Sequence, residues 1–268
     1  MVKKRILYVS QEITPYLPEN DLSKTSRFLP QAMNESGIDV RLFMPRFGCI
    51  NERRHQLHEV IRLSGMNLIV NDIDQPLIIK VASIPQARMQ VYFIDNEEYF
   101  KRKFTTEDKK GAFYSDNDER ALFFCRGVIE SVKKLGWSPD VIHCNGWMAS
   151  FLPMYLKKFY HDDPIFEKTK IVVSLYNQSF EGTLSDGLTD KLKFDGYSEE
   201  ELAGFEKVDY KKLAETAINY SDAVIKGSTE LDEDLLKLID DSKLPTLEYS
   251  DGEYKEQYKP FYETLFEE

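Results

Sequence analysis

The chain has 268 residues, and its 35 Lys or Arg against 46 Asp or Glu give a formal net charge of −11. This balance argues against a nucleic acid or an anionic membrane as the main partner. The hydrophobic fraction of 42% is that of an ordinary globular protein. No run approaches the roughly 18 apolar residues of a membrane span. Three widely spaced cysteines, Cys49, Cys125 and Cys144, form no metal-binding pattern, so reduced thiols and a cytoplasmic location are predicted.

The first thirty residues predict a strand, a long loop and a helix. Residues 5–10 form an apolar run typical of a strand that is buried on both faces. Pro15 and Pro18 delay the helix, which is predicted to begin near Asp21 or Ser23 and to end at Gly37. This unit opens a doubly wound α/β domain, where ligands lie beyond the carboxyl ends of the strands.

The loop of residues 11–21 is therefore the first place to expect a ligand. A dinucleotide-binding loop at this point carries Gly-x-Gly-x-x-Gly, whereas this loop contains no glycine. NAD and FAD are thus not expected, and no cofactor is predicted.

The next part of the chain predicts a second strand and inserted β-hairpins. Residues 39–44 alternate and end at a proline, and four short strand candidates follow at residues 60–63, 68–70, 77–83 and 89–94. His55 and His58 lie three apart in a polar loop without a third ligand beside them. A zinc site needs three or four ligands, so a solvated loop without metal is predicted.

A second block continues the α/β alternation. Asp116 or Asn117 is a suitable N-cap for a helix that reaches Leu135. Buried strands follow at residues 140–144 and 171–175, which favours a parallel sheet with helices on both faces. The loops opened by Ser10, His143 and Leu175 are then expected at one edge of the sheet.

The C-terminal part predicts helix, strand and helix over residues 211–241, then an amphipathic helix over residues 254–266. That last helix could dock on its own domain or on another chain. Residues 229–268 carry 13 acidic against 4 basic side chains, most of the net charge. We expect one Rossmann-like domain over residues 1–252, a C-terminal helix over residues 253–268 and no second domain.

Several segments together resemble the bacterial glycogen synthases and plant starch synthases. The resemblance is carried by Val9-Ser10-Gln11-Glu12-Ile13-Thr14-Pro15-Tyr16 with Leu29-Pro30-Gln31-Ala32-Met33, by Tyr114-Ser115-Asp116-Asn117 with Arg120, by His143-Cys144-Asn145-Gly146-Trp147, by Tyr176-Asn177-Gln178-Ser179-Phe180-Glu181-Gly182, and by Ala217-Ile218-Asn219-Tyr220-Ser221-Asp222-Ala223-Val224. The resemblance implies the N-terminal half of a GT-B glycosyltransferase: a mostly parallel, Rossmann-like sheet with inserted β-hairpins and C-terminal helices. It also implies relatedness to transfer of glucose from ADP-glucose to an α-1,4-glucan.

The chain differs from that family in the first loop, where the family has a lysine and glycines that bind phosphate. Pro18 stands where the family has a phosphate-binding lysine, and Glu19, Asn20 and Asp21 stand where it has Thr-Gly-Gly. Proline lacks both a charge and an N–H group, and the acidic side chains repel a diphosphate. Lys24 is the alternative cation if the loop is shifted.

The residues that match the family, with neighbouring aromatic and polar side chains, form the predicted substrate-binding set: Glu12, Tyr16, Asp116, Asn117, Arg120, His143, Asn145, Trp147, Tyr176 and Asn177. No catalytic residue is assigned. His143 could be an acid or base or a hydrogen-bonded core residue. Asp116 could be a helix cap or a ligand of sugar hydroxyls.

Three functions are compatible with these residues. The chain could transfer glucose with a second chain supplying the rest of the site. It could instead be a non-catalytic protein that binds an α-glucan, a small sugar or a regulatory partner in glycogen metabolism, with Trp147, Tyr176, Phe180 and Tyr16 stacking on sugar rings. It could also be an unrelated nucleotide-binding domain. A second copy or a full-length synthase is the expected protein partner, with no nucleic acid and no membrane.

Overall fold

A computed structural model describes residues 3–266. The strands in chain order are β1 (Arg5–Ser10), β2 (Asp39–Pro45), β3 (His58–Glu59), β4 (Met66–Val70), β5 (Ile73–Ile84), β6 (Met89–Asp95), β7 (Val141–Asn145), β8 (Lys170–Leu175), β9 (Ala223–Lys226) and β10 (Thr246–Leu247). The α-helices are α1 (Asp21–Glu35), α2 (Glu52–His55), α3 (Glu97–Phe100), α4 (Asn117–Leu135), α5 (Leu152–Phe159), α6 (Leu188–Asp195), α7 (Tyr210–Asn219), α8 (Glu233–Ser242) and α9 (Lys259–Phe266). A 3₁₀ turn spans Trp147–Ala149, and a π-helical turn spans Tyr254–Tyr258.

The strands form a mixed sheet in the order β10-β9-β8-β7-β1-β2-β6-β5-β3, with β4 paired to β5. The seven strands from β10 to β6 are parallel to their neighbours, whereas β3, β4 and β5 pair antiparallel. Ile6, Leu7 and Val9 of the central strand are fully buried because helices cover both faces. The predicted α/β, Rossmann-like fold is confirmed.

The connections place the helices in two layers. The chain moves from β1 to β2 in one direction along the sheet and from β7 through β8 to β9 in the other. Since such crossovers are right-handed, α1 lies on one face and α5 and α7 lie on the opposite face. The carboxyl ends of β1, β7 and β8 meet at one edge, as the sequence predicted, and the parallel strand β9 ends at the same edge.

One local prediction is wrong, and one helix was not predicted. Residues 60–63 are not a strand: the amide of Leu63 donates to the carbonyl of Val60 at 2.9 Å in a turn, and pairing with β5 is made by His58 and Glu59 instead. Helix α6 was not predicted, because it has only two buried apolar residues, Leu188 and Leu192. The β4–β5 and β5–β6 hairpins are confirmed.

The segment of residues 254–266, which we call the C-terminal strap, docks on its own chain. Tyr258, Tyr262 and Leu265 are buried in the common core, and the strap contacts α1 and β7. It therefore lies on the α1 face of the sheet. The division into domains at residue 252 stays a prediction. Within residues 3–266 no helix is both long and apolar enough to cross a membrane.

Candidate functional site

The point where the strand order reverses lies between β1 and β7, and it is filled by the protein itself. Gln11 directly follows β1, and its backbone N–H donates to the backbone carbonyl of Asn145 at 2.9 Å. Its side-chain oxygen accepts the amide of Met148 at 3.2 Å. Gly146 has φ +86°, and a Cβ there would lie 2.7 Å from Cδ1 of Leu22. Gln11 and Leu22 thus pack against Gly146 at the position where such folds bind ligands.

The N-terminus of α1 is also satisfied internally. The Asn20 side chain accepts the amide of Ser23 at 2.8 Å, and the Ser23 hydroxyl accepts the amide of Asn20 at 3.0 Å. The Glu12 carboxylate in turn accepts the side-chain amide of Asn20 at 2.6 Å. A helix N-terminus normally offers free N–H groups to an anion. Here a capping box uses two of the donors, and a carboxylate stands beside them.

Lys24, the alternative cation of this loop, is exposed on α1. It lines a groove of about 480 Å³ together with Phe28, Asp251 and Tyr254. The structure therefore places Lys24 between α1 and the C-terminal strap, and not beside Gln11.

His143 is fully buried on β7 and bonds through both ring nitrogens. Nδ1 lies 2.7 Å from the hydroxyl of Tyr262, and Nε2 lies 2.6 Å from the hydroxyl of Ser174. Burial lowers the pKa of His143 to about 3. The imidazole is neutral at physiological pH, with one nitrogen donating and the other accepting. Of the two alternatives for His143, the structure places it as a hydrogen-bonded core residue.

Asn145 and Tyr176 form a second buried pair at the same edge. The Tyr176 hydroxyl donates to Oδ1 of Asn145 at 2.8 Å. The backbone carbonyl of Tyr176 accepts a hydrogen bond from the hydroxyl of Tyr210 at 2.9 Å. The ring packs on Gly227, where an added Cβ would lie 2.5 Å from Cε1 of Tyr176. Asn177, the next residue, is exposed and donates its amide to Ser228 at 3.2 Å.

The segment around α4 forms a separate polar cluster. Asp116 stands at the N-cap position but makes no side-chain capping bond. Its carboxylate instead accepts two bonds from Arg102, at 2.6 and 2.5 Å. Buried Arg120 donates to Asn117 at 2.5 Å, and burial lowers the pKa of its guanidinium to about 10. The prediction that Asp116 or Asn117 is the N-cap of α4 is confirmed in position, since Asp116 precedes the first helical residue, but its carboxylate binds Arg102 and not a helix N–H.

Aromatic side chains cluster near the carboxyl edge. Phe180 stacks on Phe113 with 4.8 Å between ring centroids, and Trp147 lies 5.1 Å from Phe180. Trp147 and Phe180 are 6% and 8% exposed, so most of each ring contacts protein. Tyr16 lies apart, against His55 and Phe93, and burial raises its pKa to about 12.

A groove of about 520 Å³ opens beside this cluster. Its lining residues come from the loop after β8 and from the starts of α7 and α8: Phe180, Gly182, Asp209, Tyr210, Lys211, Asp232, Glu233, Asp234 and Leu235. Phe180 and Tyr210 supply apolar surface, whereas the exposed carboxylates supply hydrogen-bond acceptors. We call this the edge groove.

The predicted site residues therefore fall into three groups. One group lies at or near the ends of β1, β7 and β8: Glu12, His143, Asn145, Trp147, Tyr176 and Asn177. The second group, Asp116, Asn117 and Arg120, forms the α4 cluster. Tyr16 packs elsewhere. Sequence reasoning missed the contributions of Gln11, Gly227 and Tyr262. Their partners lie far away along the chain, and only the helical spacing of Tyr258, Tyr262 and Leu265 signalled a docked face.

No metal site is present in the part of the chain that the structure describes. Residues 3–266 contain no group of three or more His, Cys, Asp or Glu side chains positioned to hold a metal ion.

A doubly wound sheet with these loops at one edge defines an α/β protein of the Rossmann-like class. Residues 5–244 match the family model described as "Starch synthase catalytic domain". The chain belongs to this starch and glycogen synthase family.

Known relatives agree with this assignment. The chain is 35% identical over 229 residues to a glycogen synthase of Chlorobaculum parvum, covering 84% of this chain and 46% of that protein. It is 33% identical over 250 residues to a glycogen synthase of Chlorobaculum tepidum, covering 90% and 48%. Its fold is similar to the catalytic domain of starch synthase IV from Arabidopsis thaliana, with a TM-score of 0.76 and 17% identity, covering 94% of this chain and 52% of that chain. This chain thus spans about half the length of these relatives.

Proposed function

We propose that this chain alone binds an α-glucan and does not transfer glucose from a nucleotide sugar. The observation that carries the proposal is the internal packing of Gln11 and Leu22 at the switch point between β1 and β7. Gln11 takes the amide of Met148, and Asn20 takes the amide of Ser23. Two of the N–H groups that could bind a diphosphate at this switch point are therefore already bonded to side chains.

Charge supports the same proposal. Glycosyl transfer from a nucleotide sugar develops charge on a departing diphosphate, which cations or N–H groups must stabilise. The loop of residues 11–20 contains Glu12 and Glu19 but no Lys, Arg or Gly. The carboxylate of Glu12 lies beside the N-terminus of α1, through Asn20 at 2.6 Å. An approaching diphosphate would meet this negative charge.

The edge groove is where we place the glucan. Ligand sites combine aromatic surface with a few polar groups, in volumes of roughly 300–1,000 Å³. Here the small accessible part of Phe180 and the half-buried Tyr210 provide aromatic surface, and exposed Asp209 and Asp232 provide acceptors for sugar hydroxyls. The Arabidopsis domain of similar fold is bound to ADP and acarbose. The proposal extends the sugar ligand, and not the nucleotide, to this chain.

A transfer assay tests the first part. The purified chain is incubated with radiolabelled ADP-glucose and glycogen, and polymer-bound label is counted. We expect no incorporation above a blank without protein. Incorporation that scales with the concentration of this chain would overturn the non-catalytic proposal.

Affinity electrophoresis in gels containing glycogen tests the second part. We expect glycogen to retard the chain, and Asp232→Ala to weaken binding at least threefold because a groove acceptor is lost. Asp241→Ala, near the other end of the helix that Asp232 precedes and outside the groove, should bind like the unaltered chain. Equal retardation of both variants would move the ligand away from the edge groove, and no retardation of any of them would end the glucan proposal.

A further inference from the structure

The C-terminal strap meets the sheet through polar side chains. Tyr262 bonds to His143 on β7 and packs edge-on to Tyr8 of β1, with ring centroids 6.5 Å apart. His143 bonds in turn to Ser174 on β8. Leu265 is the one buried aliphatic side chain among the described strap residues. The layer between the strap and the sheet therefore contains the buried rings of Tyr254, Tyr258 and Tyr262 as well as hydroxyls and an imidazole.

Few contacts hold the strap from outside. Lys255 pairs with Glu35 at 2.8 Å, and both side chains are about half exposed. Lys4 donates to the carbonyl of Phe266 at 3.4 Å. Exposed ion pairs of this kind contribute little to stability. The preceding residues Asp251, Gly252 and Glu253 are exposed, and Gly252 has φ +83°. The strap is thus joined to the rest of the chain by an exposed, glycine-containing connection.

From this geometry we propose that the C-terminal strap is a proton-sensitive cover, released from β1 and β7 when His143 is protonated. The groups that face His143 and Tyr262 are Tyr8 from β1, Ser174 from β8, Tyr176 after β8, and Tyr258 from the strap. None of these is a carboxylate. An imidazolium in this layer would keep hydroxyl partners but would have no anion to offset its lost hydration.

The direction of the pH dependence of strap docking follows from the burial of His143. With the strap docked, burial lowers the pKa of His143 to about 3. With the strap released, the imidazole meets water and regains a pKa near 6.5, so acid favours the released state. The stability of the docked state relative to the released state is greatest above pH 6.5 and decreases as the pH falls below that value. Between pH 7.5 and pH 5.0 the opening constant should rise roughly thirtyfold.

Hydrogen exchange of the full chain, corrected for intrinsic rates, tests this inference. We expect strap amides to lose about thirtyfold in protection between pH 7.5 and 5.0, while amides of α4 lose less. His143→Gln should abolish most of that pH dependence, whereas His161→Gln, an exposed control, should retain it. Tyr262→Phe should raise strap exchange at both pH values. Strap protection that is constant with pH, or that falls equally in His143→Gln or in α4, would overturn the proposal.

Discussion

Tyr176 and Gly227 lie so close that no side chain fits at position 227. An added Cβ there would lie 2.5 to 2.7 Å from three atoms of the Tyr176 ring. That ring is fully buried, and its hydroxyl is held by Asn145 at 2.8 Å. The ring therefore cannot move aside without losing a buried hydrogen bond.

Gly227→Ala should destabilise the protein by about 1–3 kcal/mol, the usual cost of overpacking a core. Urea denaturation measures the change. In a Tyr176→Leu background the same substitution should cost less, because the smaller side chain gives room for the methyl group. Equal costs in both backgrounds would contradict the contact.

Asn20→Asp should be destabilising, although Asp and Asn are comparable N-caps in general. The added carboxylate oxygen would face Glu12, which now accepts a bond from the Asn20 amide at 2.6 Å. We expect a loss of about 1 kcal/mol, near the typical value of a cap. Thermal unfolding should show this loss, and Glu12→Gln should remove it.

Asn51→Asp is the matched control, since Asn51 caps α2 by accepting the amide of Arg54 at 2.9 Å. No hydrogen bond joins the Asn51 side chain to a carboxylate in the described residues. The control should change stability little. If both substitutions had the same effect, Glu12 would not be the cause.

Lys191→Met should cost about 3–5 kcal/mol, the range for breaking a buried ion pair. Lys191 lies 2.7 Å from the fully buried carboxylate of Asp118 and 2.8 Å from Glu119. Burial already raises the pKa of Asp118, and removing Lys191 raises it further. A group with a raised pKa favours the folded state at low pH, so the deficit should be smaller at pH 5 than at pH 8.

Denaturant titrations at the two pH values measure this effect. Adding Asp118→Asn should recover part of the lost stability at pH 8, because the unpaired charge is gone. Lys193→Met, which removes an exposed partner of Glu199, serves as the control. A deficit independent of pH would contradict the buried carboxylate.

Much of the fold could be predicted because its core strands are continuous apolar runs. Residues 5–10, 140–144 and 171–175 read as buried strands, and α4 shows clear helical spacing. Helix α6 could not be predicted because a polar contact helps to hold it: Lys191 binds Asp118, which lies 73 residues away in the sequence. Residues 60–63 have strand propensity, yet tertiary pairing selected His58 and Glu59.

The position of the candidate site could be predicted from the sequence, but the contacts that its residues make could not. The ends of β1, β7 and β8 meet as parallel topology requires. The sequence cannot show that Gln11 fills the crevice, or that Tyr262 bonds to His143 across 119 residues. These contacts depend on packing between distant segments. Local chemistry predicted that the loop of residues 11–21 is unsuited to bind a diphosphate. The capping of α1 by Asn20 agrees with that prediction.

Isothermal titration of the chain with ADP-glucose tests the central claim most directly. We expect no saturable heat up to millimolar ligand, because Asn20 caps α1 and the Glu12 carboxylate beside this cap repels a diphosphate. Saturable binding with a dissociation constant below about 0.1 mM, together with slowed hydrogen exchange of residues 11–24, would contradict it.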